Sequence, residues 1–276
     1  MIKKLIKHEF KAVSKLLLIM AAFMVVLTGL GVVGAYFIQP PFAASPNVHP
    51  SAPVWVGLYF MLYALTAFAL TAGTFVYLGI RFYRSMYGNA GYLTNSLPVT
   101  PAQLIVAKML TAICWVSVSI GLLMLSISSL VAAVLSSLGI GLGDFWASFV
   151  ETNNALHAHG LSYTVLALLT LVSVSAAVLM MYGAAALGQL MKKHRILASV
   201  GFYFIMSSLL QFIVSISLFI TLEHKYRPHG PLGRPGRLEA ISFTEPAVVF
   251  IVLTALVAGG LFVLTHYVTK KRLNLE

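Results

Sequence analysis

The sequence predicts an all-α integral membrane protein with six transmembrane helices and an N-terminal amphipathic helix. Two observations predict this class. First, 59% of the 276 residues are hydrophobic and only 9% are charged, whereas soluble domains average about 25% charged residues. Second, the mean hydropathy is +0.93, which is too apolar for a surface in water but normal for one in lipid.

Six stretches reach the ~20 apolar residues that a spanning helix needs. None contains Lys, Arg, Asp or Glu, and they cover residues 16–38, 54–80, 109–139, 161–191, 196–222 and 247–269. The strands of a β-barrel would instead alternate apolar and polar residues in short segments. The first stretch is longer than the ~7–15 apolar residues of a signal peptide, so we predict that it anchors the chain.

The distribution of charge predicts the orientation of the spans. One side would hold both termini, the segment around 81–108 and residues 192–195, with fourteen basic and two acidic residues, a net charge of +12. The other side would hold four basic and five acidic residues, a net charge of −1. Both termini are therefore predicted to be cytoplasmic. The scattered basic residues give little support for nucleic-acid binding.

Residues 1–15 are predicted to form an amphipathic interface helix. Lysines at positions 3, 4, 7, 11 and 15 would lie among lipid head groups, opposite an apolar stripe of Ile2, Leu5, Ile6, Phe10 and Val13. Two interpretations stay open. The helix is a topological anchor, or it is a mechanical element that lies on the membrane beside a partner protein.

The segment 81–100, between the second and third spans, is rich in aromatic residues and poor in charge. Residues 81–87 are predicted to continue the second helix for two turns, with Gly88 as its stop. Thr100, Pro101 and Gln103 have the pattern of an N-cap, a first-turn proline and a capping box. Exposed aromatic side chains in such a segment are typical of a protein docking site.

This segment resembles the cytoplasmic loop of the type-2 ABC exporter permeases. That family has a Gly-x-Leu…Leu-Pro-Val-Ser/Thr pattern, followed by a leucine-rich helix and a basic residue. Here the matching residues are Gly91-Tyr92-Leu93, Leu97-Pro98-Val99-Thr100, Leu104 and Lys108. The lead-in Tyr-Arg-Ser-Met-Tyr-Gly at 83–88 is similar to the small permeases of Gram-positive bacteria. The family often carries acids beside the glycine, where this chain has Asn89, Ala90 and Thr94, so the resemblance supports docking and no particular salt bridge.

The resemblance implies a permease subunit in a bacterial cell membrane that exports an amphipathic or apolar substrate such as a lipid, drug or antimicrobial peptide. The segment would act as a coupling helix on a separate ATPase subunit, which would carry ATP and Mg. This chain would then hold no cofactor and be no enzyme itself, and a second, identical or related permease chain would complete the pathway. The expected contacts to the ATPase are Arg81, Tyr83, Arg84, Met86, Tyr87, Gly88, Gly91, Tyr92, Leu93, Leu97 and Pro98.

Several function classes find no support in the residues. The chain lacks a Gly-x-x-x-x-Gly-Lys-Ser/Thr phosphate loop, so energy from ATP would have to come from a partner. The spans hold no Lys, Arg, Asp or Glu, and their one histidine, His266, lies near the cytoplasmic end of the sixth span, where we interpret it as an interfacial residue. Ion-coupled carriers and intramembrane proteases need ionisable groups deeper in the membrane. The histidines at 157, 159, 224 and 229 do not have a diagnostic zinc spacing. The alternative function is a non-transporting membrane scaffold or sensor subunit.

Three features leave alternatives open. Serines in the third and fourth spans either pack helices together or line a transport path. Gln211 in the fifth span needs a hydrogen-bond partner in the bundle or in a second chain. The Pro- and Gly-rich linker 223–245 is a simple connection, a lid over the outer mouth or a contact for lipid phosphate.

Overall fold

A computed structural model of the chain describes residues 2–37, 52–88, 91, 99–137, 139–158, 162–191, 194–226 and 244–271. This part of the chain forms seven helices: α1 (Ile2–Phe37), α2 (Ala52–Met86), α3 (Pro101–Ser137), α4 (Leu142–Ala158), α5 (Tyr163–Gly188), α6 (Arg195–Tyr226) and α7 (Thr244–Lys271). All except α4 are long and apolar enough to cross a membrane. The six predicted spans are therefore confirmed as helices, and the chain is a multi-pass membrane protein. Most of the linker 223–245, from residue 227 to 243, lies outside the described residues.

The predicted interface helix of residues 1–15 is not confirmed as a separate element. Ile2–Phe37 is one continuous helix, because neither Gly nor Pro occurs before residue 29 to break it. Its lysines are exposed, Leu5 and Ile6 are half-buried and Val13 is buried. Phe10 stacks on Trp115 of α3 with ring centroids 4.9 Å apart, so part of the apolar stripe packs on the protein. Of Ile2, only the backbone is described.

The helix α4 was not predicted from the sequence. Before it, α3 ends in a Schellman motif, in which Ile140 N–H donates to the Leu135 carbonyl at 3.0 Å and Gly139 N–H to that of Ser136 at 3.1 Å. Gly139 has a φ of +85°, a conformation that favours glycine. The helix α4 begins at Leu142, with Asp144 in its first turn, where the helix dipole favours a negative charge.

The described chain consists of two compact parts. The first, called here the α5–α7 part, comprises Gly79–Ile113 and Asn153–Glu276. In it, α5 packs against α6 and α7, and small residues allow the close approach: a side chain at Gly183 would lie 3.3 Å from Leu261 of α7. The core contains Leu179 and Met180 of α5 with Leu261. This part positions the candidate site.

The second, called here the α1–α3 part, comprises Ile2–Leu78 and Cys114–Thr152. A buried chain of hydroxyl groups joins its three helices. Tyr63 of α2 lies 2.7 Å from Ser126 of α3, which lies 2.5 Å from Thr28 of α1. Because the Thr28 hydroxyl donates to the Met24 carbonyl at 2.7 Å, Ser126 donates to Thr28 and Tyr63 donates to Ser126. Each of these three hydroxyl groups thus has an acceptor for its proton.

The structure decides the role of several serines in the spans. Ser119 and Ser126 are buried and hydrogen-bond to neighbouring helices, so both have the packing role. Ser128 donates to the Leu125 carbonyl one turn earlier in its own helix at 3.0 Å. In α5, Ser173 and Ser175 likewise bond back to the helix that carries them.

Candidate functional site

The candidate site is the end of α2, where the predicted coupling segment begins. The helix continues through Met86 as predicted, and the 35 residues of α2 make it about 50 Å long, well beyond the ~30 Å of the hydrocarbon layer. Gly88 follows as the predicted stop. A Cβ atom there would lie 2.7 Å from the Arg84 carbonyl oxygen, so only glycine fits without a shift. Gly91 N–H donates to the Gly88 carbonyl at 2.7 Å.

The predicted contact residues differ in their accessibility. Arg84 is exposed, and Arg81, Tyr83, Tyr87 and Gly88 are half-buried. Met86 is 0% exposed and Gly91 is buried. Neither residue is therefore accessible to a partner protein in the isolated chain. Four further predicted contacts, Tyr92, Leu93, Leu97 and Pro98, lie outside the described residues.

Phe82 connects the end of α2 to the fourth span. Its ring is 2% exposed and stacks on Tyr182 of α5, with centroids 3.7 Å apart and planes at 9°. The Tyr182 hydroxyl donates to the Lys108 carbonyl of α3 at 3.2 Å. Burial of two aromatic rings in contact contributes strongly to packing. The stack therefore joins α2, α5 and the first turns of α3.

Tyr87 connects the same place to the last span. Its hydroxyl lies 3.1 Å from Thr269 Oγ1 of α7. Because the Thr269 hydroxyl donates to the Thr265 carbonyl at 2.8 Å, Tyr87 is the donor. Burial raises the pKa of Tyr87 to about 12, although the hydrogen bond to Thr269 acts in the opposite direction. The hydroxyl thus stays protonated at physiological pH.

Four rings form one group, called here the aromatic latch: Tyr83, Phe82, Tyr87 and Tyr182. The Tyr87 ring lies edge-on to Phe82 and to Tyr83, with centroids 6.1 and 6.2 Å away. Edge-to-face and stacked rings at such distances attract one another. The latch holds the last turns of α2 against α3, α5 and α7, all within the α5–α7 part.

The start of α3 forms the other end of the loop. The Thr100 hydroxyl accepts from Gln103 N–H at 3.3 Å, and the Gln103 side chain accepts from Thr100 N–H at 3.2 Å. The predicted capping box is therefore confirmed. One to two turns later, Leu104, Ile105 and Lys108 are buried. Lys108 is thus part of the packed helix and not a loop cation.

The latch contributes rings and hydroxyl groups that connect helices through ring stacking and hydrogen bonds. Among the described residues, no group of three or more His, Cys, Asp and Glu side chains is placed to hold a metal ion. His159 and His229 lie outside those residues.

Sequence reasoning missed Tyr182 and Thr269. One signal was present for Tyr182, because it is the one aromatic residue in the small-residue run 176–188 of a span. A polar aromatic residue there needs a partner for its hydroxyl. Nothing local marks Thr269, whose role depends on a contact with a residue 182 positions away.

Comparison of the chain with protein-family models, with curated proteins and with solved structures finds no match in any of the three. The resemblance of residues 83–108 to an exporter loop therefore stays a prediction.

Proposed function

We propose that the chain is the transmembrane permease subunit of an ATP-driven ABC exporter. It would move an amphipathic or apolar substrate outward, using a separate ATPase subunit. One observation carries the proposal: the segment that resembles a coupling helix begins at a point that the aromatic latch ties to three other helices. The Phe82–Tyr182 stack and the Tyr87–Thr269 hydrogen bond are its two main contacts.

The aromatic latch matters because a permease without its own ATP site depends on a separate subunit to drive its conformational change. Loops are usually the most mobile and least packed parts of a protein, and a loose loop would absorb an applied displacement. Here the side chains of Phe82 and Met86 at the base of the loop are buried, and packed interiors transmit strain. A displacement of the loop would reach α3, α5 and α7.

The ATPase would contact the exposed side of the last turns of α2. Arg84 is exposed, with Arg81 and Tyr83 half-buried beside it. Arg and Tyr are enriched in protein interfaces. Tyr92, Leu93, Leu97 and Pro98 complete the proposed contact on the strength of the resemblance, whereas Met86 would support the surface from inside.

A second permease chain would cover one face of α6. Tyr203, Met206 and Leu210 of this helix pack on the core of the α5–α7 part. Ser208 and Gln211 lie about 170° and about 110° around the helix from that face and are exposed, and the Gln211 amide has no hydrogen-bond partner among the described residues. An amide without a partner in lipid costs several kcal/mol. A second copy that meets this exposed side would supply the partner.

The proposed location is a bacterial cell membrane with both termini in the cytoplasm. The support is the net charge of +12 on that side. The exposed lysines in the first turns of α1 would also attract anionic lipids.

Co-purification tests the proposal directly. The tagged chain is expressed together with the products of the genes beside its own, solubilised in mild detergent and isolated through the tag. We expect the ATPase to co-purify, and Arg84→Glu to reduce its recovery. Lys11→Glu is the matched control, because it reverses an exposed positive charge on α1, outside the loop.

If the unaltered chain recovers no ATPase, or if Arg84→Glu and Lys11→Glu act alike, the coupling assignment is wrong. Absence of any ATPase together with wild-type growth after gene deletion in the presence of drugs and antimicrobial peptides would favour the scaffold or sensor subunit.

A further inference from the structure

We propose that α4 is a lipid-contacting helix, whose apolar face enters the boundary between phospholipid head groups and acyl chains. Six crossings place both termini on one side of the membrane, and α4, which follows the third span, lies on the other. The inference concerns a surface with no part in ATPase coupling, and it stands independently of the proposed function.

The first observation is an exposed aromatic face. Trp146 and Phe149 are 63% and 57% exposed, and their rings stack with centroids 5.5 Å apart. Val150 extends the same stripe, because residues at i, i+3 and i+4 are neighbours on a helix. Apolar surface left in water costs about 25 cal/mol per Å². A partner of apolar chemistry therefore covers this face.

The second observation is the attachment of α4 to two spans. Four residues separate it from the end of α3 at Ser137, and four more from the start of α5 at Tyr163. Four extended residues reach at most about 14 Å, so both ends of α4 stay close to the membrane surface. Lipid is consequently the partner that is always within reach, and tryptophan is enriched at this depth of the bilayer.

The third observation shows which face of α4 turns toward the span. The Asn153 amide donates to the Tyr163 hydroxyl, and the His157 ring lies edge-on to the Tyr163 ring at 4.3 Å. Asn153 follows Trp146 by seven residues, and His157 follows Val150 by seven, so each pair shares one stripe of the helix. The stripe that contacts the first residue of α5 is thus the stripe that carries Trp146.

The charges of α4 define the kind of lipid contact. The helix contains Asp144 and Glu151 and neither Lys nor Arg. Both acids lie on the side opposite Trp146, about 140–160° around the helix at 100° per residue. Binding of such a helix depends on its apolar area, because it has no cations to attract anionic head groups. The depth of α4 in the membrane is therefore expected to be the same in neutral and in anionic membranes.

Fluorescence in proteoliposomes tests the depth of Trp146. The chain has three tryptophans, so Trp55→Phe with Trp115→Phe leaves Trp146 as the only reporter. We expect quenching by phosphatidylcholine brominated near the head group, weaker quenching by lipid brominated at the chain end, and little quenching by aqueous iodide. Adding phosphatidylglycerol should change none of these. The variant that keeps Trp55 alone is the positive control, because that side chain is exposed on a spanning helix.

A cysteine-labelling experiment tests the same proposal if the Trp55→Phe/Trp115→Phe variant fails to fold. In a Cys114→Ala chain, which has no other cysteine, single changes Ser148→Cys and Ala155→Cys lie on the charged side of α4. Phe149→Cys and Val150→Cys lie on the apolar side. We expect a membrane-impermeant maleimide to label the first pair at least ten times faster in proteoliposomes, and all four equally in sodium dodecyl sulphate.

Two results would overturn the proposal. Equal labelling of all four positions with iodide quenching of Trp146 would place both faces in water. Absence of quenching by either brominated lipid, with protection from iodide that persists on dilution into excess lipid, would show that protein covers the face.

Discussion

The hydroxyl groups of Tyr87 and Thr269, 182 residues apart in the sequence, lie 3.1 Å from each other. Tyr87 follows the last residue of α2, and Thr269 lies in the last turn of α7. The hydrogen bond thus joins the start of the loop that follows α2 to the final span. We base the first prediction on it, since it can be removed without removing a ring.

Tyr87→Phe should separate coupling from docking. The ring packing stays, and the loss of the hydrogen bond lowers stability by about 1 kcal/mol. Under the proposed function, binding of the ATPase should be unchanged. If coupling uses the whole energy of this hydrogen bond, transport falls by about five-fold, since roughly 1 kcal/mol changes a rate by that factor. The measurements are thermal unfolding, co-purification and substrate efflux from vesicles.

The matched control is Tyr77→Phe, earlier on α2 and outside the proposed ATPase contact, whose half-buried side chain has no hydrogen bond among the described residues. A double-mutant cycle of Tyr87→Phe with Thr269→Val should show non-additivity. Strictly additive losses would contradict the hydrogen bond as the source of the effect.

Phe82→Ala should destabilise the protein by about 3–5 kcal/mol, because it leaves a cavity beneath Tyr182. The measurement is the midpoint of thermal unfolding in detergent. Phe68→Ala on the same helix is the control, since Phe68 is 71% exposed and its loss opens no cavity. Equal effects of the two changes would argue against the stack as a structural joint.

Ser126→Ala should cost about 1–2 kcal/mol. It removes the middle member of the hydroxyl chain and leaves Tyr63 and Thr28 without their mutual link. Ser128→Ala, two residues later, removes only a bond to its own helix and should have little effect. The comparison is made by unfolding in detergent with increasing denaturant, and a reversal of the order would contradict the packing role.

Gln211→Cys in a Cys114→Ala chain should form a disulfide-linked dimer under mild oxidation, if two α6 helices meet there. Such a bond needs Cα atoms within about 7 Å. Leu210→Cys is the control, because Leu210 packs inside the same chain and should not cross-link. Gln211→Leu should lower the dimer fraction in native gels. A monomer for the unaltered chain in both assays would remove the basis for this interface.

Much of the secondary structure was predictable because its causes are local. The spans follow from runs of apolar residues, and the start of α3 follows from Thr100, Pro101 and Gln103 in adjacent positions. By contrast, α4 carries a short mixed pattern, LGDFWASFVETNNALHA, that is far from a membrane-span signal. Residues 1–15 are not a separate element for a local reason too, since no Gly or Pro interrupts α1 before residue 29.

The sequence by itself determined the membrane class, the number of spans and the uncharged character of their centres, because hydrophobicity and length belong to each segment alone. Only the tertiary structure decided which side chains of a segment do what. Ser126 joins three helices while Ser128 bonds its own, and Tyr87 turns toward Thr269 while Arg84 faces outward. Those roles depend on which helices pack together. Helix packing brings together residues that are far apart in the sequence, and no local pattern encodes such contacts.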